Sequence, residues 1–113
     1  NGLAISGDRI LVGVNPTHVI LAVDLADRSV APFAILPHGL IDGIEPLAGG
    51  SLLVTHNEGR LFHVTADGSI DKLIDTSIIE RNLADLEVVS ERNLVLIPTY
   101  IDGSVVAYRI PLP

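Results

Sequence analysis

Asn1 and Asp42 hold matching places in a repeated pattern, and both carry hard oxygen donors. Each is followed by a glycine and an aliphatic residue, as Asn1-Gly2-Leu3 and Asp42-Gly43-Ile44. Oxygen ligands of this kind suit calcium first, with magnesium or zinc as further candidates. Asn-Gly and Asp-Gly pairs also tolerate tight backbone geometry, so the same residues serve equally as plain turns. Ala84 stands where a third copy begins and brings no ligand. Asp85 is one residue off register, and Glu87 is expected to point along its strand.

The three copies begin 41 and 42 positions apart. A period in the forties built from short strands is the signature of propeller blades. The first strand of each blade lines the central channel, so Asn1, Asp42 and Ala84 are expected to ring one mouth. The loops after the second strands share that face. They bring Asn15 and His18, then His56, Asn57 and Glu58, then Tyr100 and Asp102. His18, His38, His56 and His63 show neither HxH nor HExxH spacing. His56 is the one expected to face the mouth. Glu58 reads as a turn residue rather than a base. Ser51 and Ser104 lack the setting of a nucleophile elbow.

The elements that must position these residues are short strands. In the first copy, a strand and a tight turn lead to Arg9–Asn15, then His18–Leu25 and Ser29–Leu36. Asn15-Pro16-Thr17 and Ala26-Asp27-Arg28 are the turns between them. The second copy has strands at about 43–48, 51–57, 59–66 and 70–75, punctuated by Gly49-Gly50, Glu58-Gly59 and Asp67-Gly68. Ser77-Ile78-Ile79-Glu80 fits a capping box, which predicts a short helical turn in the crossover. The third copy has strands at about 85–90, 93–100 and 104–110, with Asp102-Gly103 as a turn and no fourth strand. The fold class expected is therefore all-β: antiparallel four-stranded sheets forming a three-blade propeller fragment, half of a six-bladed ring. The blades fall at about 1–39, 40–82 and 83–113 of a single domain. The rival architecture is an antiparallel sandwich, which the registered repeat argues against.

Composition bounds the function. The chain has 113 residues, 48% of them hydrophobic, with a mean hydropathy of +0.48. Only 4% are aromatic, so the core is expected to be aliphatic. A net charge of −7 argues against nucleic acid or an anionic membrane as partner and mildly favours cations. It also serves solubility, and the compartment is not readable. No apolar run reaches the roughly 20 residues of a membrane helix, and no signal peptide is expected. With no cysteine, disulfides and thiolate metal sites are excluded. With no methionine, the chain is expected to be a processed form or a piece of something longer.

The Asn1-Gly2-Leu3-Ala4-Ile5-Ser6 stretch resembles the NGL strand start of the gluconolactonase/regucalcin-like (senescence-marker protein) propellers. Asp42-Gly43-Ile44, followed by Gly50-Ser51-Leu52-Leu53-Val54-Thr55 and Asn57-Glu58-Gly59-Arg60-Leu61, is similar to their DG(I/M)…G-x-L-x-V…N-x-G-R segment, in the same order. The resemblance spans almost the whole chain, in short motifs. It implies that Asn1 and Asp42 are metal ligands and that Asp42 is the catalytic proton acceptor for water attacking a lactone. It also implies that the family's glutamate ligand lies in a blade this chain lacks.

Two functions are then open. One is a metal-dependent hydrolase of a sugar lactone or similar ester, with Asp42 as base. The other is a non-catalytic propeller that binds a ligand or protein across its mouth. Three blades do not close a ring, so the partner expected is a second copy or the missing N-terminal half.

Overall fold

The computed structural model describes residues 1–112, and Pro113 lies outside them. Eleven strands form three antiparallel sheets, each built from consecutive strands. The first sheet runs β1 (Leu3–Ser6), β2 (Arg9–Val14), β3 (Val19–Asp24) and β4 (Val30–Ile35). The second runs β5 (Ile41–Pro46), β6 (Leu52–His56), β7 (Arg60–Val64) and β8 (Ile70–Asp75). The third has β9 (Glu87–Val89), β10 (Leu94–Thr99) and β11 (Ser104–Arg109). This is the three-blade propeller arrangement, with four, four and three strands.

Aliphatic and β-branched residues dominate these strands, as a pleated and half-buried surface requires. β1 and β2 meet through Gly7-Asp8, where Gly7 takes a φ of 62° that a side chain would resist. The core lies between the blades. Leu11, Ile20, Leu36, Ile41, Val54 and Phe62 fill the space between the first and second sheets. Leu53, Leu61, Leu83, Leu86, Val95 and Ile97 fill the space between the second and third. β6 is the hinge of this arrangement: all five of its residues are buried, Val54 packing to one side and Leu53 to the other.

The crossover after β8 differs from the capping box expected there. A single turn of 3-10 helix spans Ser77–Ile79, so Ser77 lies inside it and not at its N-cap. Glu80 closes the turn in the left-handed region, at φ 56°, and cannot reach back to cap. Asp75 does the capping: its Oδ1 accepts from the Ser77 backbone N–H and hydroxyl. The Lys72 ammonium, followed by these Ser77 hydrogen bonds, holds the Asp75 carboxyl well below the usual carboxylate range.

Candidate functional site

Asp42 owes its position to a bulge. Ile41 pairs with His56 and Ile44 with Val54, so Asp42 and Gly43 together face Thr55 alone. One extra residue turns the strand and re-aims its side chain. Gly43 suits the spot for a steric reason. A Cβ there would lie 2.5 Å from Leu86 Cδ2 and 2.7 Å from Asp85 Oδ1. The Gly43 N–H donates to Thr55 Oγ1 at 2.8 Å, and that hydroxyl donates onward to the Ala84 carbonyl of the third blade. The bulge is thus tied to the blade beside it.

The Asp42 carboxylate sits between two amides. Asn1 Nδ2 donates to Oδ1 at 3.0 Å, and Asn57 Nδ2 donates to Oδ2 at 2.9 Å. Asn57 is fixed in turn by the Tyr100 hydroxyl, which donates to its Oδ1 at 2.9 Å. One chain of hydrogen bonds therefore runs Asn1–Asp42–Asn57–Tyr100, drawing on all three blades. Asn1 also accepts the Gly2 N–H on Oδ1 at 3.0 Å, and its backbone N donates to the Gly13 carbonyl at 3.0 Å. Gly13 must stay small, because a Cβ there would meet the Asn1 carbonyl oxygen at 2.3 Å.

Beside this chain lies a cleft of about 500 Å³, lined by Asn1, Asp42 and Asp85 together with Gly2 and Ile44. Asp85 is the residue that register alone set aside. The third blade shifts register by one residue as the second does, Glu87 pairing with Leu96 while the Ala84 N–H bonds to the Pro98 carbonyl, so Asp85 takes the place in its blade that Asp42 takes in the second, and it lines the cleft. The neighbourhood is acidic. Burial, then the charges of Glu87 and Asp85, raise the Glu45 carboxyl above its ordinary value. Hard oxygen donors from Asn1, Asp42 and Asp85 around one cleft fit a divalent cation of the calcium type. Among the described residues, no group of three or more His, Cys, Asp or Glu side chains is placed to hold a metal.

The other mouth candidates are placed as follows. Asn15 clamps the start of β5: its Oδ1 accepts the Ile41 N–H at 3.0 Å and its Nδ2 donates to the Ile41 carbonyl at 2.9 Å. Glu58 accepts the Leu40 N–H on both carboxylate oxygens at 3.1 Å, which makes it a loop clamp. His18, in the left-handed region at φ 48°, bonds through Nδ1 to the Pro16 carbonyl at 3.1 Å and lies 5.6 Å from the His38 ring. None of these three joins the Asp42 chain.

His56 was expected to face the mouth; it is the last residue of β6, and its side chain is fully buried. Its ring meets Phe62 edge-on, with centroids 4.7 Å apart, and neither ring nitrogen has a hydrogen-bond partner. A Cβ on Gly39 would sit 2.3 Å from Nδ1, so the 37–40 loop closes directly over the imidazole. Burial pulls its pKa down to about 4. The Glu58 carboxylate opposes that shift, while Arg60, His18 and His38 reinforce it.

No protein-family model matches the chain, and neither does any curated protein. Solved structures do match. A gluconolactonase from Xanthomonas campestris is 25% identical, with a TM-score of 0.77 over 100% of this chain and 37% of its own. A streptogramin B lyase is 20% identical, with a TM-score of 0.66 over 96% of this chain and 40% of its own. A virginiamycin B lyase from Staphylococcus aureus is 15% identical, with a TM-score of 0.67 over 97% of this chain and 41% of its own. All are propeller proteins, and the chain spans well under two thirds of each. The chain is three blades of a β-propeller, similar along its whole length to a gluconolactonase.

Proposed function

We propose that the chain forms part of a metal-dependent, lactonase-like propeller of the gluconolactonase/regucalcin type, which hydrolyses a sugar lactone or a related ester. The observation that carries this reading is Asp42, held by Asn1 and Asn57 at the edge of a cleft. Full-length similarity to a gluconolactonase supports it.

Asn1 and Asp42 are the proposed cation ligands, with calcium ahead of magnesium or zinc. When bound, such an ion supplies a Lewis acid to the substrate carbonyl. The residues themselves do the rest. Asp42 accepts the proton of the attacking water. Asn1 and Asn57 fix the plane of its carboxylate, and Tyr100 fixes Asn57. A second copy of the chain, or a separate set of three blades, completes the ring around the cleft.

A second reading is a non-catalytic propeller that binds a ligand or protein across its mouth. It is favoured by the fact that both Asp42 oxygens already accept amide hydrogens. Hydrolysis of D-glucono-1,5-lactone, followed by pH-stat with and without calcium, separates the two. Calcium-dependent turnover that Asp42→Asn removes supports the lactonase. Calcium binding without turnover of any lactone leaves the binding module.

A further inference from the structure

A second cleft, of about 420 Å³, opens between the first and second sheets and shares no lining residue with the one beside Asp42. Pro37 and His38, from the loop that leaves β4, form one side of it. Arg60 and Phe62 of β7, with Ile70 and Lys72 of β8, form the other. The strand register explains why these four stand together. Phe62 pairs with Lys72, Val64 with Ile70 and Arg60 with Asp75, so all of them occupy the face of the second sheet that packs toward the first.

The charge of this cleft runs against that of the chain. The chain carries −7 with only seven Lys and Arg, yet two of those seven line one wall, and among the described residues no carboxylate lines it. Arg60 and Lys72 share a single counter-ion, Asp75. The Lys72 ammonium lies 2.7 Å from Oδ2 and Arg60 Nε lies 3.7 Å from the same oxygen, while Oδ1 accepts from Ser77. Two cations against one anion leave one positive charge over. At 3.7 Å, Arg60 is beyond hydrogen-bond reach of Asp75, which leaves its N–H fork for a ligand. Glu58, close by in sequence, is taken up by the Leu40 N–H. Both cationic side chains stay partly exposed, so a ligand can reach them.

We infer that this cleft binds a monoanionic carboxylate with an apolar body, its carboxylate on Arg60 and Lys72 and its body against Pro37, Phe62 and Ile70. One surplus charge suits a carboxylate better than the nearly doubly charged phosphate of a phosphate monoester. The guanidinium presents paired donors that match two carboxylate oxygens. The volume falls within the range of about 300–1,000 Å³ usual for small-molecule sites. This site does not depend on the lactonase reading.

Isothermal titration of the whole chain with hexanoate, acetate, hexanol and hexyl phosphate tests it. Hexanoate is expected to bind roughly tenfold tighter than acetate, because its added methylenes are buried. It is also expected to bind roughly tenfold tighter than hexanol, which makes no charge-assisted hydrogen bond. Added sodium chloride should weaken hexanoate and leave hexanol unmoved. Arg60→Gln/Lys72→Gln is expected to bring hexanoate down to the level of hexanol, with the melting temperature of the free protein little changed, since exposed ion pairs contribute little. The ligand ranking and its salt dependence on the unaltered chain decide the matter by themselves if the variant fails to fold. Equal binding of hexanoate and hexanol overturns the inference, as does no binding of hexanoate. Hexyl phosphate binding tightest reassigns the cleft to phosphate esters and overturns the carboxylate. Hexanoate held as tightly by the double variant as by the unaltered chain places it elsewhere and overturns the site.

Discussion

Asn57 Nδ2 donates to Asp42 Oδ2 at 2.9 Å, Asp42 lying in the β5 bulge and Asn57 directly after the end of the neighbouring β6. Without the bulge, Asp42 would follow the regular alternation of its strand. The Asn57 amide can face Asp42 with either its oxygen or its nitrogen. The Asp42 carboxylate, which only accepts, decides: it takes the NH₂ and leaves the Asn57 oxygen for the Tyr100 hydroxyl. A residue of the third blade thereby completes the hydrogen bonding of a residue in the second.

That dependence is open to test through Tyr100→Phe. The ring stays and the donor goes, so the Asn57 oxygen loses its partner and the amide is held through Asp42 alone. Removing such a supporting partner costs roughly tenfold to a hundredfold in activity. The fall is expected in kcat for lactone hydrolysis, with the melting temperature close to wild type because Tyr100 is exposed. Wild-type kcat in Tyr100→Phe would remove Tyr100 from the site.

Cation binding has its own signature. A ligand that binds only the folded state stabilises it by about 2.7 kcal/mol at a hundred times its Kd. Calcium is expected to raise the melting temperature of the wild type and to leave Asp42→Ala unmoved. Thermal scans with calcium, magnesium and zinc also rank the three ions. An equal rise in wild type and variant would place the cation elsewhere.

The fold was legible because the repeat carries it. Asn1, Asp42 and Ala84 mark three blade starts, and Asp67-Gly68 and Asp102-Gly103 mark hairpins where strands do turn. The site was legible only in part. His56 was misplaced because β6 is buried on both faces, which erases the alternation that separates inward from outward side chains. Asp85 was set aside because the third copy was aligned on Ala84, one residue early; the second and third blades in fact shift register alike, at Asp42-Gly43 and at Asp85-Leu86. Glu80 carries the right letter for a capping box but sits at the C-terminal end of its turn. The bond from Tyr100 to Asn57 spans 43 positions and has no local sequence signal.

Stability is expected to fall in mild acid because of His56. Its ordinary value of 6.5 applies in the unfolded chain, and burial lowers it to about 4 in the folded one. Between these values the unfolded state binds the extra proton, so its stability rises relative to the native state as pH falls. The full contribution is present above pH 6.5 and is lost as pH drops toward 4, a loss of about 3 kcal/mol. Urea midpoints measured across that window check this. His56→Leu is expected to flatten the slope, since Leu has no proton to gain and suits the apolar contact with Phe62. A variant as acid-sensitive as wild type would assign the slope to other groups.

The last expectation concerns the outer faces. On β1, Ala4 packs inward against the core while Leu3 and Ile5 point the other way, 72% and 70% exposed. Ile10 and Val12 lie directly across the ladder from Ile5 and Leu3, so they share that outer face. The third sheet repeats the pattern, with Leu96 and Pro98 paired across from Ala107 and Val105 on its outer side. Each is a sheet face of the kind that covers a neighbouring blade elsewhere in the same molecule. Blades bury their core only against neighbours, and uncapped faces associate. The isolated chain is therefore expected to pair, and light scattering should give 24 kDa, twice the 12.0 kDa of one copy. Leu3→Lys/Ile5→Lys places two charges on the first face and is expected to shift the mass back toward one copy. A single well-folded 12.0 kDa species from the unaltered chain would show that three blades stand alone, and would leave the cleft at Asp42 open on the side that a second copy was to close.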